Sequence, residues 1–378
     1  MPTLRVGFIG AGQIAKPHVA AFQMLSSLFA DAANVELDMV AEATEGLAQR
    51  AAKRYGFKRW TADWRKLTSD PHLDIVDILT PTYLHKGPAI DAVENGKNVL
   101  CEKPLAMNSR EAREMYRAAE KAGVVNMTGF NFRRVPAIAF AKRLIEGGQI
   151  GRIYHFRCQN FEDWGADEGT PMAWRFRRTT AGSGALADLG SHVIDLTRHV
   201  FGTPTSVTAA NRTYTRERKN EPNRGRRKGR VDVDDTTLAL LRLQGGAVGV
   251  LEASWVASGK KAGLEFEAHG SGGSLFFDME RPGELEVYEN GDAAELRGYR
   301  RVLTGPDHPY SDGLVLGAPA VGMGYEASIV NEIYDFTAAV RDSRAVLPSF
   351  YDGWKALQIA DAMVESSESK QWVRIPRP

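Results

Sequence analysis

Leu4-Arg5-Val6-Gly7-Phe8-Ile9-Gly10-Ala11-Gly12-Gln13-Ile14-Ala15 is an apolar run that breaks into glycines. Residues 4–9 read as a strand, and a helical pattern follows to about Phe29. Between them lies G-x-G-x-x-A, in the strand–turn–helix setting that a dinucleotide site requires. Gly10 permits the tight turn, Gly12 lets backbone approach a pyrophosphate, and Ala15 is small enough for close helix–strand packing. The N–H groups around Gln13 and Ile14 open the helix, and its positive dipole end suits phosphate. The plainer alternative is an ordinary tight βα turn.

The next strand is Val35–Ala41, with Glu42 at its end. An acid there can accept both ribose hydroxyls of an adenosine half. Ala43 and Thr44 follow, with no arginine to meet a 2′-phosphate, so NAD is expected rather than NADP. Strands and helices go on alternating: Asp74–Leu79, a helix over about Leu84–Glu94, Asn98–Cys101, a helix capped by Asn108 with Glu111 three residues on, and Val124–Thr128. Repeated βα units predict a parallel sheet with right-handed crossovers. Val99-Leu100-Cys101-Glu102-Lys103-Pro104 then puts a lysine at the carboxyl end of a buried strand, where ligands of open α/β sheets bind.

After Gly129-Phe130-Asn131-Phe132-Arg133 the texture changes. A helix over about Pro136–Glu146 precedes strands at Arg152–Asn160, Thr205–Tyr214, Thr236–Leu243, Ala247–Trp255, Gly263–Gly270, Gly273–Phe277 and Glu284–Tyr288. Polar and apolar residues alternate, and short glycine turns separate the runs, which predicts a large, open, mostly antiparallel sheet. Such a sheet needs cover on its second face, so a homo-oligomer, dimer or tetramer, is expected through it. The fold class is therefore α/β followed by α+β. Residues 216–230 are strongly basic but carry no interleaved aromatics, and are expected to be a solvated loop rather than a polyanion site.

Gly182–Leu196 sets Asp188, His192 and Asp195 at i, i+4 and i+7, one polar stripe on a helix. The bland reading is a buried, self-satisfied Asp–His pair. No further histidine or cysteine stands at ligand spacing, so no metal is expected.

The bulk numbers narrow the rest. A chain of 378 residues is too long for one compact core and suits two domains. Hydrophobic content of 43% and charge of 25% are those of an ordinary globular protein, and a net charge of +1 exerts no general pull on nucleic acid or membrane. Cys101 and Cys158 form no disulfide framework. The strand at Leu4 leaves no room for a signal core, and no apolar run approaches the roughly 18 residues of a membrane span. A cytoplasmic location is expected.

With these pieces in place the chain resembles the Gfo/Idh/MocA family of glucose–fructose oxidoreductases and inositol dehydrogenases. The marks are Gly10-x-Gly12-x-x-Ala15, His18, Thr80-Pro81 followed by His85, Glu102-Lys103-Pro104, and Asp188-x-x-x-His192-x-x-Asp195. The resemblance implies a Rossmann NAD-binding domain over 1–130, to which about 345–378 returns, and a substrate-binding and oligomerisation domain over 131–344. It implies that Thr80, Pro81, His85, Glu102, Lys103 and Asn131 join Gly10, Gly12, Gln13, Ile14 and Glu42 around the cofactor. His18 and His85 are expected to be structural. Thr82 departs from the asparagine common after Thr-Pro in the family.

The resemblance further implies a catalytic group of Lys103, Asp188 and His192. The Trp174-Arg175-Phe176 segment and Gly305–Tyr310 resemble members acting on pyranosides, levoglucosan and glycoside 3-dehydrogenases among them, and on inositols. Trp174, Arg175 and Asp195 are then expected to join Lys103, Asp188 and His192 around a small polyhydroxylated substrate, with Glu162, Asp163, Trp164 and His308 as weaker candidates. The expected reaction removes hydride from a ring carbon to NAD and a proton from its oxygen, with the ammonium and the imidazole serving one nicotinamide face. Two other activities fit the fold: a glycosidase that keeps NAD and oxidises its substrate transiently, and a non-catalytic NAD-sensing regulator.

Overall fold

The computed structural model describes residues 3–220, 228–311, 319 and 324–376. It divides into two compact units, Met1–Asn131 with Met323–Lys355, and Phe132–Gly322 with Ala356–Pro378.

The first unit holds β1 (Thr3–Ile9), β2 (Asn34–Ala41), β3 (Arg59–Thr61), β4 (Ile75–Ile78), β5 (Asn98–Glu102) and β6 (Asn126–Gly129), interleaved with α1 (Ala15–Leu28), α2 (Glu45–Tyr55), α3 (Trp64–Thr68), α4 (Lys86–Glu94) and α5 (Ser109–Ala122). The strands are parallel throughout, in the order β3-β2-β1-β4-β5-β6. Strand order reverses between β1 and β4, so the crevice at their carboxyl ends is the switch point where such sheets bind ligands. Gly10, Thr80 and Lys103 all follow strands at that edge. The helices obey their local signals. Asn108 accepts from the Glu111 N–H at 3.0 Å to start α5, and left-handed Gly123 ends it.

The second unit holds α6 (Pro136–Glu146), β7 (Ile153–Phe161), α7 (Arg178–Ala181), α8 (Ser191–Leu196), β8 (Pro204–Arg212), β9 (Glu217–Lys219), β10 (Lys228–Arg230), β11 (Thr236–Leu243), β12 (Val248–Ser254), β13 (Gly263–Gly270), β14 (Gly273–Asp278), β15 (Glu284–Glu289), β16 (Arg300–Leu303) and β17 (Val373–Arg374). Nine strands form one sheet, β16-β15-β14-β13-β7-β12-β11-β8-β17. Its pairs are antiparallel except β12 with β7. Alternation fixes which face is covered: Thr237, Ala239, Leu241 and Leu243 of β11 are buried, while Leu238 and Leu240 lie open.

Two expectations need correction. The C-terminal return is not 345–378. α9 (Tyr325–Arg341) sets Ile329, Val330, Ile333 and Phe336 into one apolar cluster with Val19, Phe22 and Leu25 of α1, and Tyr334 stacks on Phe29 at 3.9 Å. α10 (Phe350–Ser369) crosses the boundary. Its end serves the second unit: Ser366 and Ser367 accept from the N–H groups of Ala209 and Asn211 on β8, and β17 pairs with the same strand. The basic run 216–230 is also not simply a solvated loop. Its arms are the antiparallel pair β9–β10, while residues 221–227 lie outside the described residues.

Candidate functional site

In the first unit the glycine turn has the shape its motif implies. Gly10 sits at φ +94°, and a Cβ there would lie 3.0 Å from the Leu79 carbonyl, so both backbone and space demand glycine. A Cβ on Gly12 would meet nothing within 4 Å, an open cradle beside the start of α1. Gln13 is exposed and Ile14 half-buried there, and no side chain caps the helix. Its first-turn N–H groups therefore suit an anionic ligand. Glu42 accepts from the Ala11 N–H at 2.7 Å and the Ala43 N–H at 3.1 Å, which places its carboxylate on the rim of the turn. Among the described residues, the buried Thr80 hydroxyl has no hydrogen-bond partner. Pro81 follows it and opens the single turn Thr82–Leu84. Open cradle, rim acid and orphan hydroxyl together fit NAD. Asn131 donates to Ser328 Oγ of α9 at 2.7 Å.

At the end of β5, Glu102 ties two things together. Its Oε2 accepts from the Lys103 N–H at 3.0 Å, and its Oε1 meets His18 Nε2 at 3.3 Å. His18 Nδ1 meets Asp77 Oδ2 at 2.8 Å. Burial alone would push the imidazole down, but the Asp77 and Glu102 carboxylates outweigh it and hold it up at about 10. Gly129 belongs to the same fit, because a Cβ there would approach Glu102 Oε1 to 2.9 Å. His85 lies between the Thr80 carbonyl at 2.7 Å and the Pro104 carbonyl at 3.1 Å, and burial keeps its ring below the usual histidine range. His85 thus braces backbone at Thr80 and Pro104, while His18 braces the Glu102 carboxylate that holds the Lys103 N–H.

In the second unit the expected uniform helix is interrupted. Wide turns at Leu186–Gly190 and Thr197–Phe201 flank α8. Such π turns are frequent at functional sites, and they break the regular spacing that a straight stripe needs. The stripe is accordingly split. The Asp188 side chain is 21% exposed and lies 3.5 Å from Arg175 Nε, whereas Asp195 is 1% exposed and is gripped by Arg133 at 2.7 and 2.5 Å. His192 is buried, with the Phe132 ring at 4.5 Å. The Arg175 guanidinium rests over its neighbour Trp174 at 4.5 Å. Trp174, Arg175 and Asp188 therefore lie together as a polar and aromatic strip, and His192, in α8, follows Asp188 by four residues. Trp164, by contrast, is packed against Trp255 and Phe176. Asp163 is paired with Lys261 at 2.7 Å, and His308 accepts from the Gly305 N–H.

Sequence reasoning missed two supports of this strip. One is Arg133, which holds Asp195. The other is Asp234, whose carboxylate accepts from the N–H groups of Gly184 (2.8 Å) and Leu186 (2.7 Å), while its carbonyl accepts from Ala185 (2.9 Å). It anchors the start of the interrupted helix. A Cβ on Gly184 would fall 1.9 Å from that carbonyl, so only glycine fits. The adjacent acids Asp234-Asp235 before a β-rich run were the available signal. Among the described residues no cluster of three His, Cys, Asp or Glu side chains is arranged to hold a metal ion.

A Rossmann unit with an NAD cradle, joined in one chain to an antiparallel sheet unit, defines an NAD-binding oxidoreductase. Residues 4–130 match the oxidoreductase family with the NAD-binding Rossmann fold, and residues 138–276 match the GFO/IDH/MocA C-terminal domain. The chain belongs to the Gfo/Idh/MocA family. It is 42% identical over 388 aligned positions to levoglucosan dehydrogenase of Pseudarthrobacter phenanthrenivorans, covering 100% of this chain and 99% of that one. It is 28% identical over 274 positions to scyllo-inositol 2-dehydrogenase (NAD(+)) of Bacillus subtilis, covering 72% and 73%. The solved structure of levoglucosan dehydrogenase in complex with NADH and levoglucosan superposes with a TM-score of 0.96 at 43% identity, covering both chains fully.

The rim acid gives a first prediction. Glu42→Ala should weaken NAD by about tenfold, the worth of a hydrogen bond to a charged group, and weaken it more than NADP. Fluorescence titration with both cofactors measures this, and equal losses would place the ribose contact elsewhere.

Proposed function

We propose that this protein is an NAD-dependent dehydrogenase that oxidises a ring hydroxyl of a sugar, glycoside or cyclitol to a ketone, with 1,6-anhydropyranoses as the leading substrate class. The observation that carries the reading is the strip of Trp174, Arg175 and Asp188, whose Asp188 is four residues before His192. The strip offers an aromatic ring, one face of it under the Arg175 guanidinium, and several polar groups for hydroxyls, as a polyol requires. Its full-length likeness to a levoglucosan dehydrogenase supports the anhydropyranose class.

Bound NAD supplies the hydride acceptor. The chain's own residues do the rest. Lys103, a compact point charge with three donors, stabilises the developing alkoxide. His192 takes the hydroxyl proton, as an imidazole can near neutral pH. Asp188 orients substrate hydroxyls together with Arg175, and Asp195, held by Arg133, fixes the helix that presents His192. Gly10, Gly12, Gln13, Ile14, Glu42, Thr80, Pro81, His85, Glu102 and Asn131 shape the cofactor side.

The working form is a homo-oligomer joined through the open face of the second sheet, where Leu238, Leu240 and Val248 stand exposed. It acts in the cytoplasm, and no helix among the described residues is long and apolar enough to cross a membrane. A panel of anhydropyranoses, pyranosides and inositols, followed by NADH absorbance, tests the proposal. Net NADH formed in step with ketone is the expected result. Aglycone release without net NADH would replace it with the NAD-retaining glycosidase, and NAD binding without turnover on any polyol would replace it with the regulator.

A further inference from the structure

The basic run 216–230 contains one side chain that is not basic surface at all. Arg218 is 1% exposed and among the largest fully buried side chains. Its Nη2 donates to the Gly165 carbonyl at 2.5 Å, and its Nη1 to the carbonyls of Asp167 (2.8 Å) and Thr170 (3.4 Å). The guanidinium plane lies over the Phe176 ring at 4.2 Å. Next to it, the Lys219 carbonyl accepts from the Met172 N–H at 2.7 Å. One short strand therefore grips the chain segment 165–176 at its start, its middle and its end. Burial pushes the Arg218 guanidinium below its usual range, although an arginine stays charged even so. Burying a charge is costly, and an apolar residue would fill the space more cheaply. What an apolar residue cannot do is bind three converging carbonyls and an aromatic face at once.

The gripped segment presents Trp174 and Arg175. Arg175 in turn reaches Asp188 at 3.5 Å, so the segment's placement sets how the strip meets the helix that carries His192. We propose that Arg218 is a positioning residue that fixes the Trp174–Arg175 segment for the sugar substrate, and so sets KM. This rests on reading Trp174 and Arg175 as substrate contacts. Arg218 itself touches neither substrate nor cofactor.

The test compares Arg218→Met, Arg218→Lys and Trp174→Ala with the parent, using the best polyol from the panel and saturating NAD. Misplacing a substrate-binding segment by a fraction of an ångström should raise the sugar KM of Arg218→Met about tenfold or more, with kcat within about threefold and NAD affinity unchanged. Lysine keeps the charge but loses the fork and the stacking, so Arg218→Lys should fall between Met and the parent. If the Met variant does not fold, the Lys variant decides alone: a raised KM with kcat kept supports the role, and an unchanged KM overturns it. A fall in kcat and NAD affinity together, with KM unmoved, also overturns it. Trp174→Ala separates the two layers. If it leaves KM unchanged, the substrate reading of the segment fails; if it raises KM while both Arg218 variants leave it alone, only the Arg218 proposal fails.

Discussion

Lys103→Ala is expected to lower kcat by at least about 100-fold, the scale set by loss of a positioned acid, base or charge at a reacting oxygen. NAD affinity should stay within about threefold, under about 0.7 kcal/mol, because the backbone contacts that shape the Lys103 turn do not depend on its side chain. The geometry explains why these two effects separate. Lys103 is held by its backbone: its N–H donates to Glu102 Oε2, and the Pro104 carbonyl beyond it meets His85. Truncating the side chain leaves both contacts in place. It also leaves the glycine turn and Glu42 untouched, since these lie after β1 and β2 rather than β5. Steady-state rates at saturating NAD and sugar, set beside a cofactor titration, read the two quantities independently. A turnover number equal to the parent's would remove Lys103 from the chemistry. A parallel loss of NAD affinity would show that its side chain is part of the cofactor cradle instead.

The cofactor unit was legible because its signals are local. A glycine that must adopt φ +94° announces itself within a few residues, and so does a lysine that ends an apolar strand. In β11 the sequence marked the strand but not its covered face, because Leu238, Ala239, Leu240 and Leu241 are all apolar and only the second and fourth are buried. The same reasoning stops where a side chain's fate depends on a distant partner. Arg218 reads as a solvated cation because its neighbours in sequence are charged; the carbonyls that bury it lie some fifty positions earlier. Asp234 anchors a helix start fifty residues away; the paired acids Asp234-Asp235 mark the spot, but nothing near them names the distant partner. Periodicity also assumes a regular helix. It placed Asp188, His192 and Asp195 on one stripe, but Asp188 lies within the wide turn Leu186–Gly190 before α8, and it meets Arg175 while Asp195 meets Arg133. The C-terminal crossing was lost for the same reason, since β17 is two residues long and is defined wholly by its pairing with β8.

His18→Ala should destabilise the first unit by about 3–5 kcal/mol, the cost of breaking a buried ion pair and leaving a carboxylate without its counter-charge. The residue is fully buried between Asp77 and Glu102, so water cannot take over either contact. The sign with pH follows from linkage. In the unfolded chain an imidazole titrates near 6.5; folded, His18 is held up at about 10. A raised value means the native state keeps a proton that the unfolded state gives up as pH rises between those limits. The stabilisation is therefore fully present below about pH 6.5 and is lost as pH approaches 10. Each pH unit of that interval is worth about 1.4 kcal/mol, so the interval spans on the order of 5 kcal/mol, at the top of the pair-breaking range. Guanidinium midpoints of parent and His18→Ala, taken at pH 6, 8 and 10, measure it. The gap between the two proteins should be widest at pH 6 and close steadily toward pH 10. A gap that is constant across that range would mean that the imidazole is neutral and acts through packing and hydrogen bonding rather than charge.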